Sequence, residues 1–164
     1  MRKILPTPNK KGFTLIELLI VITIIATLAV AIFVAINPAQ RLADARDARR
    51  TSDVDSILTA IHQFIVDTGG TYPGNLQAGT LITQLGSAPS GGCSGTVGVC
   101  NIGVAEDDCE NLTTDLAPYL RSIPLDPNIG SAAETGYAVD VDSNGIVTVT
   151  ACGSEGGTTI SASR

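Results

Sequence analysis

Apolar side chains occupy nearly every position from Phe13 to Ile36, and only Thr14, Glu17, Thr23 and Thr27 interrupt them. The run predicts a helix of membrane-spanning length, since about 20 apolar residues suffice. A helical threonine can bond back to a preceding carbonyl, so the three threonines are tolerable in lipid. Glu17 is different. A carboxylate in hydrocarbon is expensive and rare, so this one is expected to need a partner that the isolated chain does not supply.

After Ile36 the pattern changes period. Asn37-Pro38 interrupts the run, and Pro38, lacking an N–H and clashing with the preceding turn, predicts a kink or local melt. Residues 39–66 resume helical character. Arg41, Asp44, Arg46, Asp47, Arg49 and Arg50 alternate in sign along what reads as a solvated stretch. Val54, Ile57, Leu58, Ile61, Phe64 and Ile65 then recur at spacings of three and four, an amphipathic stripe that predicts packing on a globular domain. Gly69-Gly70 ends that helix.

Beyond it, Tyr72-Pro73-Gly74 reads as a turn and residues 86–95 as a Gly/Ser/Pro-rich loop. Leu112, Leu116, Tyr119 and Leu120 predict a short helix, and residues 123–127 an extended loop. Tyr137–Val141 and Ile146–Cys152 alternate apolar and polar residues around Asp142-Ser143-Asn144-Gly145, a hairpin signal. Residues 154–164 read as a Gly/Ser/Thr tail with little to bury. The predicted class is α+β: a long N-terminal helix, apolar then amphipathic, packed on a small antiparallel sheet. The expected divisions are 1–12, 13–36, 37–70 and 71–164.

Charge fixes the expected orientation. Arg2, Lys3, Lys10 and Lys11 precede the apolar run, and no lysine follows Lys11. The positive-inside rule then puts the N-terminus in the cytoplasm and everything after Ile36 outside. Removal of residues 1–12 would take away four positive charges and no negative one, moving the formal net charge from −6 to −10. So acidic an exported part argues against a general grip on nucleic acid. All four cysteines, Cys93, Cys100, Cys109 and Cys152, lie in that exported part. They read as two disulfides in any of three pairings. Free or metal-bound thiols are the bland alternative, but no CxxC spacing occurs and His62 is the only histidine. The apolar run is long for a signal peptide, and Ile36-Asn37-Pro38 is no small-residue cleavage site.

Candidate chemistry is sparse. Asp140, Asp142 and Asn144 imitate the first half of a calcium loop, but the twelfth position falls on Ala151 and lacks the bidentate glutamate, so a metal-free hairpin is the preferred reading. Residues 106–110 form an acidic cluster that reads as a solvated loop. Asn111-Leu112-Thr113 is a glycosylation-type sequon, a pattern short enough to arise by chance. His62 falls beside the amphipathic stripe and reads as a packing or surface histidine. With no phosphate-loop lysine, no second histidine and no dinucleotide glycine pattern, the chain is read as a non-enzyme without cofactor.

The junction Lys10-Lys11-Gly12-Phe13-Thr14-Leu15-Ile16-Glu17 resembles the processing site of the type IV pilin and pseudopilin superfamily, with a class III-type leader. The similarity covers the leader, the helix to about Asp67, and Tyr72-Pro73. Asn37-Pro38-Ala39-Gln40-Arg41 is similar to helix-break segments of bacterial pilins. The resemblance implies that a prepilin peptidase cuts between Gly12 and Phe13 and that the new Phe13 amine is methylated. It implies that an assembly ATPase and a platform protein draw subunits from the membrane into a homo-oligomeric helical filament. Glu17 would pair there with the Phe13 amine of a neighbour and set axial register. Some pseudopilins bind calcium, so the resemblance leaves the Asp140 loop open.

The leading expectation is a structural subunit of a surface filament serving adhesion, motility or DNA uptake. A pseudopilin of a type II secretion-type machine is the second reading. A DNA-binding competence pilin is a lesser one, since the exported part keeps only Arg41, Arg46, Arg49, Arg50, Arg121 and Arg164. A single-pass anchored exoprotein that is never cut is the plain alternative.

Overall fold

The computed structural model describes residues 12–87, 100 and 109–164. They form seven elements: helix α1 (Leu15–Ile36), helix α2 (Pro38–Asp67), strand β1 (Thr83–Gln84), helix α3 (Thr113–Leu116), and strands β2 (Tyr137–Val141), β3 (Val147–Ala151) and β4 (Ile160–Ser163). The class is α+β, as the pattern predicts. The chain divides into two compact units, residues 1–41 and 42–164.

In the first unit, α1 starts two residues later than the apolar run because Thr14, extended at φ −81° and ψ 152°, caps it. None of its residues is buried. The break after α1 sits at Asn37, which is left-handed at φ 45°. Pro38 opens α2 rather than interrupting a helix, because a first-turn proline has no partner for an N–H to miss. Helical bonding resumes at once, with Gln40 and Arg41 donating to the Asn37 carbonyl at 3.1 and 3.3 Å.

In the second unit, the predicted stripe is the core face of α2. Val54, Ile57, Leu58 and Ile61 are fully buried, while Phe64 and Ile65 are partly so. The helix stops where Gly69 and Gly70 take positive φ, with Gly70 N–H reaching back to the Ile65 carbonyl at 2.8 Å and Gly69 N–H to that of Val66 at 3.3 Å. That double bond back is a Schellman stop, available to glycine at no steric cost.

The sheet is antiparallel throughout, in the order β1-β2-β3-β4. Tyr137, Val139 and Val141 stand opposite Ala151, Val149 and Val147, and all six join the α2 stripe in one core with Leu85, Leu112 and Leu116. The other face carries Ala138, Cys152 and Cys100 with Ile82 beside them.

The hairpin forms where the sequence places it, and it is closed by a three-residue loop. Gly145 N–H donates to the Asp142 carbonyl at 3.1 Å, and Gly145 alone takes positive φ, so Asn144 does not adopt the conformation a type I′ turn requires. Residues 154–164 are not a plain tail. Ile160 and Ala162 turn inward onto the core, and the segment pairs with β3 as an edge strand. The two apolar residues alternate with Ser161 and Ser163, a pattern too short and polar to stand out. Strand β1 was also not expected, and it has only two residues.

Ile57→Ala is expected to cost about 2–5 kcal/mol, read as a lower denaturant midpoint at unchanged slope. Ile16→Ala, on the exposed apolar helix, should leave the midpoint unmoved. Equal losses from both would mean that the stability of the folded unit does not rest on the α2–sheet core.

Candidate functional site

The junction before α1 is built around a reciprocal cap. Thr14 N–H donates to Glu17 Oε2 at 2.8 Å, Thr14 Oγ1 donates to the same oxygen at 2.8 Å, and Glu17 N–H donates to Thr14 Oγ1 at 3.3 Å. This is a Thr-x-x-Glu capping box, which satisfies orphan N–H groups at the helix start. Thr14 thus engages Oε2 twice, a local contact absent from the reading of Glu17 as a lone acid, while Oε1 accepts no bond within the described residues. The signal, a threonine three residues before a glutamate at the head of an apolar run, was present in the sequence. The cap also keeps Gly12 and Phe13 outside the helix, both exposed. Lys10 and Lys11 lie outside the described residues.

The α1 surface beyond the cap is apolar on all sides. Leu15, Ile16, Phe33 and Val34 are between 65% and 80% exposed. Thr23 and Thr27 turn their hydroxyls back onto the carbonyls of Ile20 and Ile24, at 2.8 and 2.9 Å, and so present no unmet donor. Length and composition suit a membrane span.

A second cluster joins α2 to two distant loops. The Arg50 side chain is wholly buried, and so is that of Asp126. Arg50 Nε and Nη2 grip the two Asp126 oxygens at 2.7 and 3.0 Å, Nη1 donates to Asp47 at 2.7 Å, and Nη2 also donates to Glu155 at 3.0 Å. Arg46 Nε donates to Glu155 at 2.8 Å, and Asp47 accepts the Glu155 and Gly156 N–H groups. Space for Asp126 depends on glycine: a Cβ at Gly153 would lie 2.7 Å from Asp126 Oδ2, and Gly136, at φ +81°, would set its own 2.6 Å from Asp126 Cβ. The solvated reading of this stretch is therefore wrong for Arg50. Its main partner lies 76 residues away, beyond any local spacing rule. On the core side of the same helix, Tyr137 donates its hydroxyl to Asp53 at 2.8 Å, and burial together with that carboxylate pushes the phenol pKa up.

The calcium-like residues serve the turn. Asp142 Oδ1 accepts the N–H groups of Asn144 and Ile146 at 2.8 Å each, and Asn144 Nδ2 donates to Oδ2 at 3.1 Å. Asp140 is raised by burial and by the nearby Asp142 charge. Among the described residues no three His, Cys, Asp or Glu side chains are placed to hold a metal. Cys100 and Cys152 form a disulfide across 52 residues, Cys109 is also disulfide-bonded, and Cys93 lies outside the described residues. Within the acidic cluster, residues 106–108 also lie outside them, while Glu110 holds the Asn75 N–H at 2.9 Å. His62 is half-buried on α2, and its Nε2 has no hydrogen-bond partner.

These features define a precursor-type segment, a capped extended junction leading into a membrane-length apolar helix, ahead of a separately cored domain. The prokaryotic N-terminal methylation motif family matches residues 7–33, spanning the junction and most of α1. The chain thus carries the leader and helix start of type IV pilin- and pseudopilin-like precursors, consistent with a pilin-like superfamily. No curated protein and no solved structure matches it.

The Arg50 cluster sets a pH dependence. Burial alone would raise Asp126, but the Arg50 guanidinium and the N–H groups of Asn128 and Ile129 outweigh it and hold the carboxyl below its ordinary range. Asp47 is likewise held down against burial by the Glu155 N–H and Arg50, and Glu155 is held down by Arg46. Lowered folded-state values give stability that is present above the unfolded carboxylate pKa and lost as pH falls through the lowered ones. The melting temperature should therefore be flat near neutrality and fall below about pH 4. Asp126→Asn should cost on the order of 3 kcal/mol of stability at pH 7, lowering the melting temperature there, and flatten the acid limb. A variant with the wild-type acid limb would remove Asp126 from the account.

Proposed function

We propose that this chain is the precursor of a structural filament subunit, cut between Gly12 and Phe13 and polymerised through α1 into a surface filament. The observation that carries the reading is the methylation motif leading into a helix whose apolar surface is exposed all round. Such a surface is stable in lipid or against like helices, and not in water. The membrane holds it first and neighbouring copies hold it afterwards. Van der Waals packing between copies replaces packing against lipid tails.

The chemistry of the junction fits both stages. Before assembly, the Thr14 cap gives Glu17 two local donors. After cleavage, the methylated Phe13 amine of a neighbour carries a positive charge that can meet the open Oε1. A buried polar pair of this kind specifies register, as a single polar position does in a coiled coil. Prepilin peptidase, assembly ATPase and platform protein are the machinery such a route requires. The acidic unit from Leu42 onward faces water outside the cell, where its disulfides persist. Direct DNA capture is disfavoured, because Arg46, Arg49 and Arg50 are already committed to carboxylates within the chain.

The deciding experiment shears native cells and measures the intact mass of this protein in the sheared fraction. A mass starting at methylated Phe13 supports the filament subunit. A processed form confined to the membrane moves the reading to a pseudopilin, and an uncut chain overturns it. Gly12→Ser should block cutting and leave the longer form in the membrane; normal trimming would end that part of the proposal. Glu17→Ala should be cut as usual yet give little filament in the absence of wild-type subunits. Full filament yield from that variant alone would remove the register argument.

A further inference from the structure

Asn111-Leu112-Thr113 is presented to solvent in a defined way. Asn111 and Thr113 are exposed on either side of Leu112, which is 0% exposed and anchored in the core. The Thr113 N–H donates to Asn111 Oδ1 at 3.1 Å, closing an Asx turn. Neither Asn111 Nδ2 nor Thr113 Oγ1 makes a hydrogen bond within the described residues. The turn asparagines Asn75 and Asn144 differ, since each gives its Nδ2 to a carboxylate, Glu110 and Asp142 respectively. Asn111 also lines an uncharged cleft of about 500 Å³ with Thr113, Thr114, Ser122 and Leu125. Hydroxyls beside an apolar floor suit the polar edge and C–H face of a sugar ring.

We propose that Asn111 is an N-linked carbohydrate acceptor whose first sugar lies along the Thr113–Leu125 cleft. The assignment rests on the reading that places the residues after Ile36 outside the membrane, where glycan transfer takes place. The co-reactant is a sugar carried on a polyprenyl pyrophosphate. Transfer forms the bond between Asn111 Nδ2 and the anomeric carbon and breaks that carbon's bond to the pyrophosphate oxygen. The oxygen keeps the electron pair, and one Nδ2 proton passes to a base of the transferase. An amide nitrogen is a poor nucleophile because its lone pair is shared with the carbonyl. The Thr113 N–H on Oδ1 stabilises the negative charge that gathers there as the proton leaves, as any donor aimed at developing charge does. The free Thr113 hydroxyl is left for the transferase to read.

Mass spectrometry of peptides from the chain isolated from native cells tests this. The peptide containing Asn111 should be heavier by a whole number of sugar residues. The increment should vanish in Asn111→Gln and Thr113→Ala and survive in Thr113→Ser. A wild-type peptide bare at Asn111, or an increment that persists in Asn111→Gln, overturns the assignment. The N-terminal peptide of the same sample reports the Gly12–Phe13 cut separately. An uncut chain bearing sugar at Asn111 defeats the processing reading and upholds this one; a cut chain bare at Asn111 does the reverse.

Discussion

A guanidinium with no water contact dictates much of the second unit. The Arg50 side chain is fully buried, and a buried charge is tolerated only when paired and hydrogen-bonded. Its partners come from three places: its own helix through Asp47, the loop at Asp126, and the turn at Glu155. Two of them are in turn held by backbone, Asp126 by Asn128 and Ile129 and Asp47 by Glu155 and Gly156, while the Glu155 carboxylate is also held by Arg46. The cluster therefore does what apolar packing does poorly. Hydrophobic contact along the stripe from Val54 to Ile61 tolerates sliding, whereas a two-pronged Arg–carboxylate grip fixes one axial position of α2 against the sheet.

Helix α1 is governed by the opposite constraint, an apolar surface of which no residue is buried among the described residues. Along α1 the one acid is handled locally by Thr14, the hydroxyls of Thr23 and Thr27 by their own helix, and every other side chain is hydrocarbon. A helix finished this way makes no polar demand on its surroundings except at its head. The two units thus divide the chemistry. One supplies an apolar helix with a single acid near its head, and the other supplies an acidic, internally cross-linked body.

How far the sequence revealed this follows the range of each interaction. The spanning run, the α2 stripe, the glycine stop and the hairpin are periodic or local, and each stands where residue spacing put it. The same locality explains the shift of the break from Pro38 to Asn37: proline excludes helix before it, and the preceding residue absorbs the turn. The capping box is equally local, a Thr-x-x-Glu pattern at the head of the apolar run. Other features were out of reach. Arg50 and Asp126 look like ordinary polar residues until the fold brings them together. Strand β4 offers only Ile160 and Ala162 as inward positions and becomes a strand because β3 is there to pair with it.

The motif at the junction is legible for a physical reason: it is carried by contiguous residues, so reading it needs no tertiary contact. The charged leader, Gly12, Phe13 and the apolar run are therefore readable in one pass, and the family match at residues 7–33 covers that stretch. The domain beyond Leu42 carries no such contiguous signal. It has only to present a stable core, satisfied buried charges and an acidic surface, and many sequences can meet those terms. Its core and its Arg50 cluster are accordingly visible in three dimensions and almost silent in one.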